Sequence, residues 1–451
     1  MNDLTKAAEK ALLKRQRLPD EYGLDMVRPA YDGLSLANVP GLAYQILTGT
    51  PGSQIAPPIN PALLAVEGVS QAFQAFLGRG PINHVVTLLV DALGYEQLDK
   101  MMAADELPTF RRLCQSPDNF YIPITSVYPS TTTTALTSLA TARLPQEHGI
   151  MATVTYFSEV GLMVNLIRHS IANDYNAPPI PDKVLNPDKI VTVPNLYTAF
   201  EAKGIKCNTI NYHAYIGSSI SRFTSVGSKL EFISYRTPSG AAVAMRKLVE
   251  DLPRSSKHKS YTYAYLSTVD ETAHRFGPLS PNYEAELSVI DFTLGRELFN
   301  RVTDRDDVLF LIVADHGQLS VSGSKTIWLN DHPELTRHFS APLGGERRAA
   351  YLYLKNGTLE QAQNYCRQHF ADATLALTKD EALNAGIFGS EIRAANPAAY
   401  DRIGDLILLP YNTWQIRHFL PGEERTIGSI GAHGGLTRAE MLIPFLAVRL
   451  K

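Results

Sequence analysis

Cysteine is scarce in this chain. Three thiols in 451 residues, Cys114, Cys207 and Cys366, lie far apart. Neither a disulfide framework nor a thiolate metal knuckle fits that spacing, so reduced structural thiols are expected. Charge of one sign is missing too. The 42 Lys and Arg against 45 Asp and Glu leave a formal charge of −3, which gives no bulk attraction to polymeric nucleic acid or to an anionic membrane. No run of about 20 apolar residues occurs, so no transmembrane helix is expected. The opening stretch MNDLTKAAEKALLKRQRLPDEYG mixes charges and lacks a continuous apolar segment. It reads as an amphipathic helix rather than a secretory leader, and a cytoplasmic protein is the expectation. Internal repeats are absent, and nothing sets an oligomeric state.

What is present has an ordinary globular composition, 45% apolar and 19% charged, in a chain long enough for one large α/β unit with an inserted subdomain. Residues 1–80 read as an N-terminal helix followed by a Pro/Gly-punctuated wrapping segment. The core begins at NHVVTLLVDALG (83–94), a Val/Leu run ending in Asp91. The design returns in YTYAYLSTVDETAH (261–274), which carries Asp270, and in DVLFLIVADHG (307–317), which carries Asp315. Unbroken apolar runs of this kind are buried parallel strands, and helical patterns such as 239–252 and 284–300 lie between them. The reading is an α/β fold: a mostly parallel central sheet with helices on both faces, spanning 81–330 and 428–451, with a small α+β insert at 331–427.

Ligands of an open parallel sheet bind at the carboxyl ends of its strands, and three runs deliver an aspartate there. One such residue is an ordinary cap or turn. Three on one rim repel each other unless a cation sits among them. Histidines complete the set. His274 follows Asp270 by four residues, one helical turn on the same face. His316 is adjacent to Asp315 in a tight DHG turn, and His433 lies in the glycine-rich GAHGGL. Carboxylate and imidazole without thiolate suit Zn²⁺, with Mn²⁺ or Fe possible, and six ligands divide into two sites. Two ions about 4 Å apart clamp the oxygens of an in-line phosphoryl displacement.

A nucleophile is then required. The stretch YPSTTTTALTSLAT (128–141) puts four threonines, Thr131 to Thr134, between a β-rich segment and a helical one. A hydroxyl at a helix start is well placed beside a phosphate, but the run alone does not say which. The segment NYHAYIG (211–217) offers aromatics that could stack on a base, and His213, for substrate binding; a loop packed on the core is the plainer reading.

The ordered set, Asp91, PSTT (129–132), ARLPQEHGI (142–150), DETAHRFGP (270–278), ADHG (314–317) and GAHGG (431–435), resembles the alkaline phosphatase superfamily in its nucleotide pyrophosphatase/type I phosphodiesterase branch, over roughly 84–450. The resemblance implies Thr132 as the nucleophile and a covalent phospho-threonine. It implies one zinc on Asp91, Asp315, His316 and Thr132, and a second on Asp270, His274 and His433. Eukaryotic-type members read T-x-P-N-H at the nucleophile, where this chain has Thr132-Thr133-Thr134-Ala135-Leu136. They also carry an asparagine for the phosphoryl oxygen at the place of Thr153. The expected substrate is a small phosphodiester or nucleotide pyrophosphate. The alternatives are a phosphomonoesterase or phosphonate hydrolase of the same superfamily, with Arg143, Arg222 or Arg275 on the extra charge, and a non-catalytic metal-binding protein.

Overall fold

The run HVVTLLV forms strand β1 (His84–Val90), every residue of it buried. β-Branched and leucine side chains suit a pleated surface covered on both sides. A computed structural model of the chain describes residues 3–450 apart from 24, 173, 175, 390–395, 420–424 and 426–427. The remaining strands of the main sheet are β2 (Phe120–Thr125), β3 (Lys206–Tyr212), β4 (Glu231–Tyr235), β5 (Ser260–Leu266), β6 (Arg305–Val313) and β7 (Leu442–Leu450). Their spatial order is β2-β7-β6-β1-β5-β3-β4. β1 pairs in parallel with β5 and β6, and β3 in parallel with β4 and β5, while β7 runs antiparallel to β6 and β2. The molecule is therefore α/β with a mostly parallel central sheet.

That topology puts the carboxyl ends of β1, β2, β3, β5 and β6 on one edge, together with the start of β7. Helix α1 (Asp3–Arg15) packs along β2, while α2 (Thr132–Thr141) and α3 (Thr268–Phe276) start beyond the carboxyl ends of β2 and β5. The β5 run stops at Leu266. Asp270 is thus not a strand-end residue: it sits in the first turn of α3, with His274 one turn later.

A second, antiparallel sheet draws its seven strands from two distant parts of the chain. In spatial order they are Thr374–Thr378, Leu406–Pro410, Ala349–Leu352, Gly344–Glu346, Val154–Phe157, Leu162–Asn165 and Ser170–Ile171. The 344–410 stretch and the 154–171 stretch join where Gly345 pairs with Val154. Residue 427, where the insert was expected to end, lies outside the described residues. The N-terminal segment is tied to β2 of the central sheet and to the stretch after it. Thr5 Oγ1 of α1 donates to Tyr121 O, 2.8 Å, and Tyr128 N donates to Tyr31 Oη, 3.1 Å. Among the described residues no helix is long and apolar enough to cross a membrane. All three cysteines are buried and unpaired; burial pushes the Cys207 and Cys366 thiols up to about 12.

Candidate active site

Two loops at the edge carry the first cluster. The chain leaves β1 through Asp91 and leaves β6 through Asp315 and His316. Ala92 takes a left-handed φ of 58°, uncommon outside glycine, and its N–H donates to Asp315 Oδ1 at 3.0 Å. His316 N donates to the same oxygen, 2.9 Å. The loops touch backbone to backbone at Gly317: a Cβ there would lie 3.0 Å from Gly94 Cα and would overlap the Ala439 carbonyl. His316 Nε2 stands 3.3 Å from Asp315 Oδ2 and 3.7 Å from Asp91 Oδ1.

The second cluster comes from α3 and the loop before β7. His274 Nε2 and His433 Nε2 stand 3.4 and 3.8 Å from Asp270 Oδ1. The short strand Gly431–Ala432 pairs with Leu319–Ser320, just past His316, which brings His433 over the first cluster. The His316 and His433 rings stack with centroids 3.7 Å apart. Ligating atoms of Asp91, Asp315 and His316 lie within 4.8 Å of one another, and so do those of Asp270, His274 and His433.

Three observations test whether this donor set fits divalent cations. First, Asp91 Oδ1 and Asp315 Oδ2 are buried without a hydrogen-bond partner, which is costly for carboxylate oxygens unless a cation takes them. Second, all three imidazoles turn Nδ1 to a backbone carbonyl: His274 to Gly431 O at 2.9 Å, His316 to Gly317 O at 3.1 Å and His433 to Ser130 O at 2.9 Å. A carbonyl has no hydrogen to give, so each ring carries its hydrogen on Nδ1 and offers a lone pair at Nε2. Third, His274 Nε2 and His433 Nε2 are 3.1 Å apart, two acceptors that repel unless a cation lies between them. The residues present fit two divalent cations. In their own charge field Asp91 is held well above the usual carboxylate range by burial, then by Asp315 and Asp270. Burial, then His316 and His274, depresses His433 well below an ordinary imidazole.

Thr132 opens α2. Its Oγ1 lies 3.3 Å from His316 Nε2, and it is 8% exposed where Thr131, Thr133 and Thr134 are 0–1% exposed. Thr131 is the N-cap residue, yet its side chain does not fold back onto the helix. The first N–H groups of α2 thus remain open to an anion. Further along, Thr137 and Thr141 hydroxyls donate to the carbonyls four residues earlier, 2.6 and 2.7 Å, which lets so threonine-rich a segment be helical and buried. Ser130 stitches the helix start to the histidine loop. Its Oγ donates to Gly435 O at 2.7 Å and accepts from Gly434 N at 3.2 Å.

Thr153 comes to the same place, its Oγ1 3.1 Å from Thr131 Oγ1 and 3.3 Å from Thr133 Oγ1. His213 follows β3 on the same edge but makes no hydrogen bond to either cluster. It stacks edge-on against Tyr212 at 4.5 Å and takes Arg236 Nη1 at 3.0 Å. Arg143 pairs with Glu147, Arg222 with Asp182 and Asp188, and Arg275 lies over Phe276; none of the three bonds to the clusters.

Four nearby residues escape a reading of the sequence. The Tyr265 hydroxyl donates to Asp91 Oδ2 and Gln318 Nε2 to Asp270 Oδ1. These two do leave a signal: Tyr265 ends the alternation Tyr261, Tyr263, Tyr265, and Gln318 directly follows the DHG turn. Glu346 and Arg347 carry no such signal, since they arrive from the second sheet. Glu346 accepts the Thr153 N–H at 2.7 Å. Burial raises its carboxyl, against the hydrogen bonds from Thr153 and Thr131. Burial, then Arg417, lowers Arg347 to about 10.

Residues 85–436 match the family model described as type I phosphodiesterase/nucleotide pyrophosphatase. An uncharacterised pyrophosphatase/phosphodiesterase of Schizosaccharomyces pombe is 31% identical over 134 residues, 27% of this chain and 26% of that protein, so the chain spans about a quarter of that relative. Murine ectonucleotide pyrophosphatase/phosphodiesterase 5 superposes with a TM-score of 0.58 at 16% identity, over 80% of this chain and 87% of that one. Phosphonoacetate hydrolase from Sinorhizobium meliloti, solved with phosphonoacetate, gives a TM-score of 0.58 at 17% identity, over 81% and 90%. These two likenesses establish a shared fold.

Proposed function

The chain belongs to the type I phosphodiesterase/nucleotide pyrophosphatase family, and on that premise we propose that it hydrolyses small phosphodiesters or nucleotide pyrophosphates through a covalent phospho-threonine at Thr132. Asp91, Asp315 and His316, with Thr132 Oγ1, would hold one divalent cation, and Asp270, His274 and His433 a second; the oxygen and imidazole donors favour zinc, with manganese or iron as alternatives. Bound there, the cations lower the hydroxyl pKa and neutralise developing charge. The observation that carries the reading is the convergence of two unpartnered carboxylate oxygens and three Nε2 lone pairs beside the Thr132 hydroxyl.

In this mechanism Thr132 Oγ1 attacks phosphorus as the bond to the leaving group breaks. Water then cleaves the Oγ1–P bond and returns the hydroxyl. The open N–H groups of α2 receive the non-bridging oxygens. The three Nδ1–carbonyl bonds hold the imidazoles in register, and Ser130 fixes the His433 loop against the helix start. A substrate of this size needs no polymeric nucleic acid and no membrane.

The test compares bis-nitrophenyl phosphate with mono-nitrophenyl phosphate, with Zn²⁺ or Mn²⁺ added. Diester turnover is expected to dominate and to vanish with EDTA. Thr132→Ala is expected to lose about 10³-fold or more of kcat while still binding metal by calorimetry. Monoester preference, or full activity after chelation, would overturn the assignment.

A further inference from the structure

The turn between the strands Gly344–Glu346 and Ala349–Leu352 of the second sheet grips the loop that carries His433. Its three consecutive charged residues take different partners. Arg348 donates to both oxygens of Glu440, 3.2 and 3.0 Å. Arg347 Nη2 donates to Gly431 O at 3.0 Å, the carbonyl that also takes the His274 Nδ1 hydrogen, and Nη1 reaches Gln415 Oε1 and Ser429 O at 3.3 and 3.4 Å. Glu346 packs over Gly434, where φ is +115° and an added Cβ would lie 2.6 Å from Glu346 Cβ. That position takes glycine alone.

The Glu346 carboxylate is thereby built into the neighbourhood of the reacting threonine. It accepts the Thr153 N–H at 2.7 Å. Thr153 Oγ1 touches the hydroxyls of Thr131 and Thr133, the residues on either side of Thr132. This has two effects on a bound phosphoryl group. The Thr153 N–H, given to Glu346, is withheld from a phosphoryl oxygen. A carboxylate also stands beside the helix start where those oxygens collect. Arg347, the cation next to it in sequence, offsets part of that field, but its guanidinium is engaged with carbonyls 429 and 431.

A phosphodiester brings one negative charge to this place, and a phosphomonoester close to two. We propose that Glu346 is a selectivity residue that turns the site away from dianionic phosphoryl groups, so that diesters and the internal phosphates of pyrophosphates are taken in preference to monoesters. Like charges set against each other discriminate by repulsion rather than by added attraction. The inference rests on the phosphoryl-transfer reading of the site and names its substrate class.

Glu346→Gln keeps the length and an acceptor for Thr153 N–H while removing the charge. The ratio of kcat/KM for mono-nitrophenyl over bis-nitrophenyl phosphate is expected to rise about tenfold or more. Glu346→Asp, which keeps the charge, is expected to stay near the wild-type ratio, and melting temperatures check that both variants fold. A binding arm is independent of turnover. In the Thr132→Ala background at about pH 8.5, where inorganic phosphate is mostly dianionic, Glu346→Gln is expected to tighten phosphate binding by a similar factor in calorimetry. An unchanged ratio with unchanged phosphate affinity, or a Glu346→Asp variant that behaves like Glu346→Gln, overturns the proposal. Wild-type protein that cleaves neither ester would overturn the phosphoryl-transfer reading instead, and the phosphate arm would still judge Glu346.

Discussion

His148 shows how differently the same side chain is set in one molecule. It is fully buried, and its Nδ1 accepts from Ile150 N at 3.1 Å, so its hydrogen sits on Nε2 and goes to Ser138 Oγ at 2.9 Å. The three clustered imidazoles carry the opposite tautomer, which is why they present lone pairs and His148 does not. Burial, helped by Arg402, depresses His148 to about 3. The unfolded chain protonates this imidazole near pH 6.5 while the folded chain holds it neutral down to about 3. Across that window the unfolded state binds more protons, and stability falls as pH falls, by up to about 1.4 kcal/mol per pH unit. His148→Gln removes the titration. Urea denaturation at several pH values between 7.5 and 4.5 is expected to show a shallower acid loss for the variant than for wild type. Parallel pH curves would show that His148 does not titrate between the two states.

At the scale of elements, β1, β5 and β6 are legible in the sequence because each is a largely apolar or aromatic run, the pattern of a strand covered on both faces. The six clustered carboxylate and imidazole side chains are legible because they follow those runs or lie in glycine turns. Asp270 is the exception to its expected place at a strand end: backbone pairing stops at Leu266, polar Ser267 and Thr268 follow, and the helix takes up the residues from Thr268 on. The junction of Val154–Phe157 with Gly344–Glu346 leaves no trace, because antiparallel register between segments nearly two hundred residues apart depends on the partner and not on local pattern. Glu346 and Arg347 are hidden with it. Gly317 is readable as a turn, but its actual task is to let the Asp91 loop and the Asp315–His316 loop meet backbone to backbone. Gly317→Ala forces them apart. It is expected to cost about 1–3 kcal/mol and to weaken zinc binding at the Asp91 cluster by about tenfold. Thermal unfolding of the apo protein and zinc titration by calorimetry read the two effects separately. Unchanged zinc affinity would show that the close approach does not position the ligands.

The two sheets act as one molecule because the Arg347–Arg348 turn is tied into the central one. Arg348 and Glu440 have fully buried side chains, 0% exposed each. Glu440 also accepts from Gly435 N at 2.9 Å and from Thr437 Oγ1 at 2.6 Å, while Arg348 donates to Trp414 O as well. The pair therefore joins the second sheet, the helix before β7 and the loop two residues past His433. Removing one partner leaves a buried charge unpaired, which costs about 3–5 kcal/mol, whereas removing both charges together costs far less. Arg348→Met is expected to fall in that range by urea denaturation. Adding Glu440→Gln to it keeps an acceptor for Gly435 and Thr437 and discards the orphaned carboxylate, so the double variant is expected to be more stable than Arg348→Met alone. That ordering is specific to an ion pair whose desolvation is balanced internally. A double variant that loses the sum of the two single losses would mean that each residue anchors its own sheet independently, and that the histidine loop does not depend on the turn that grips it.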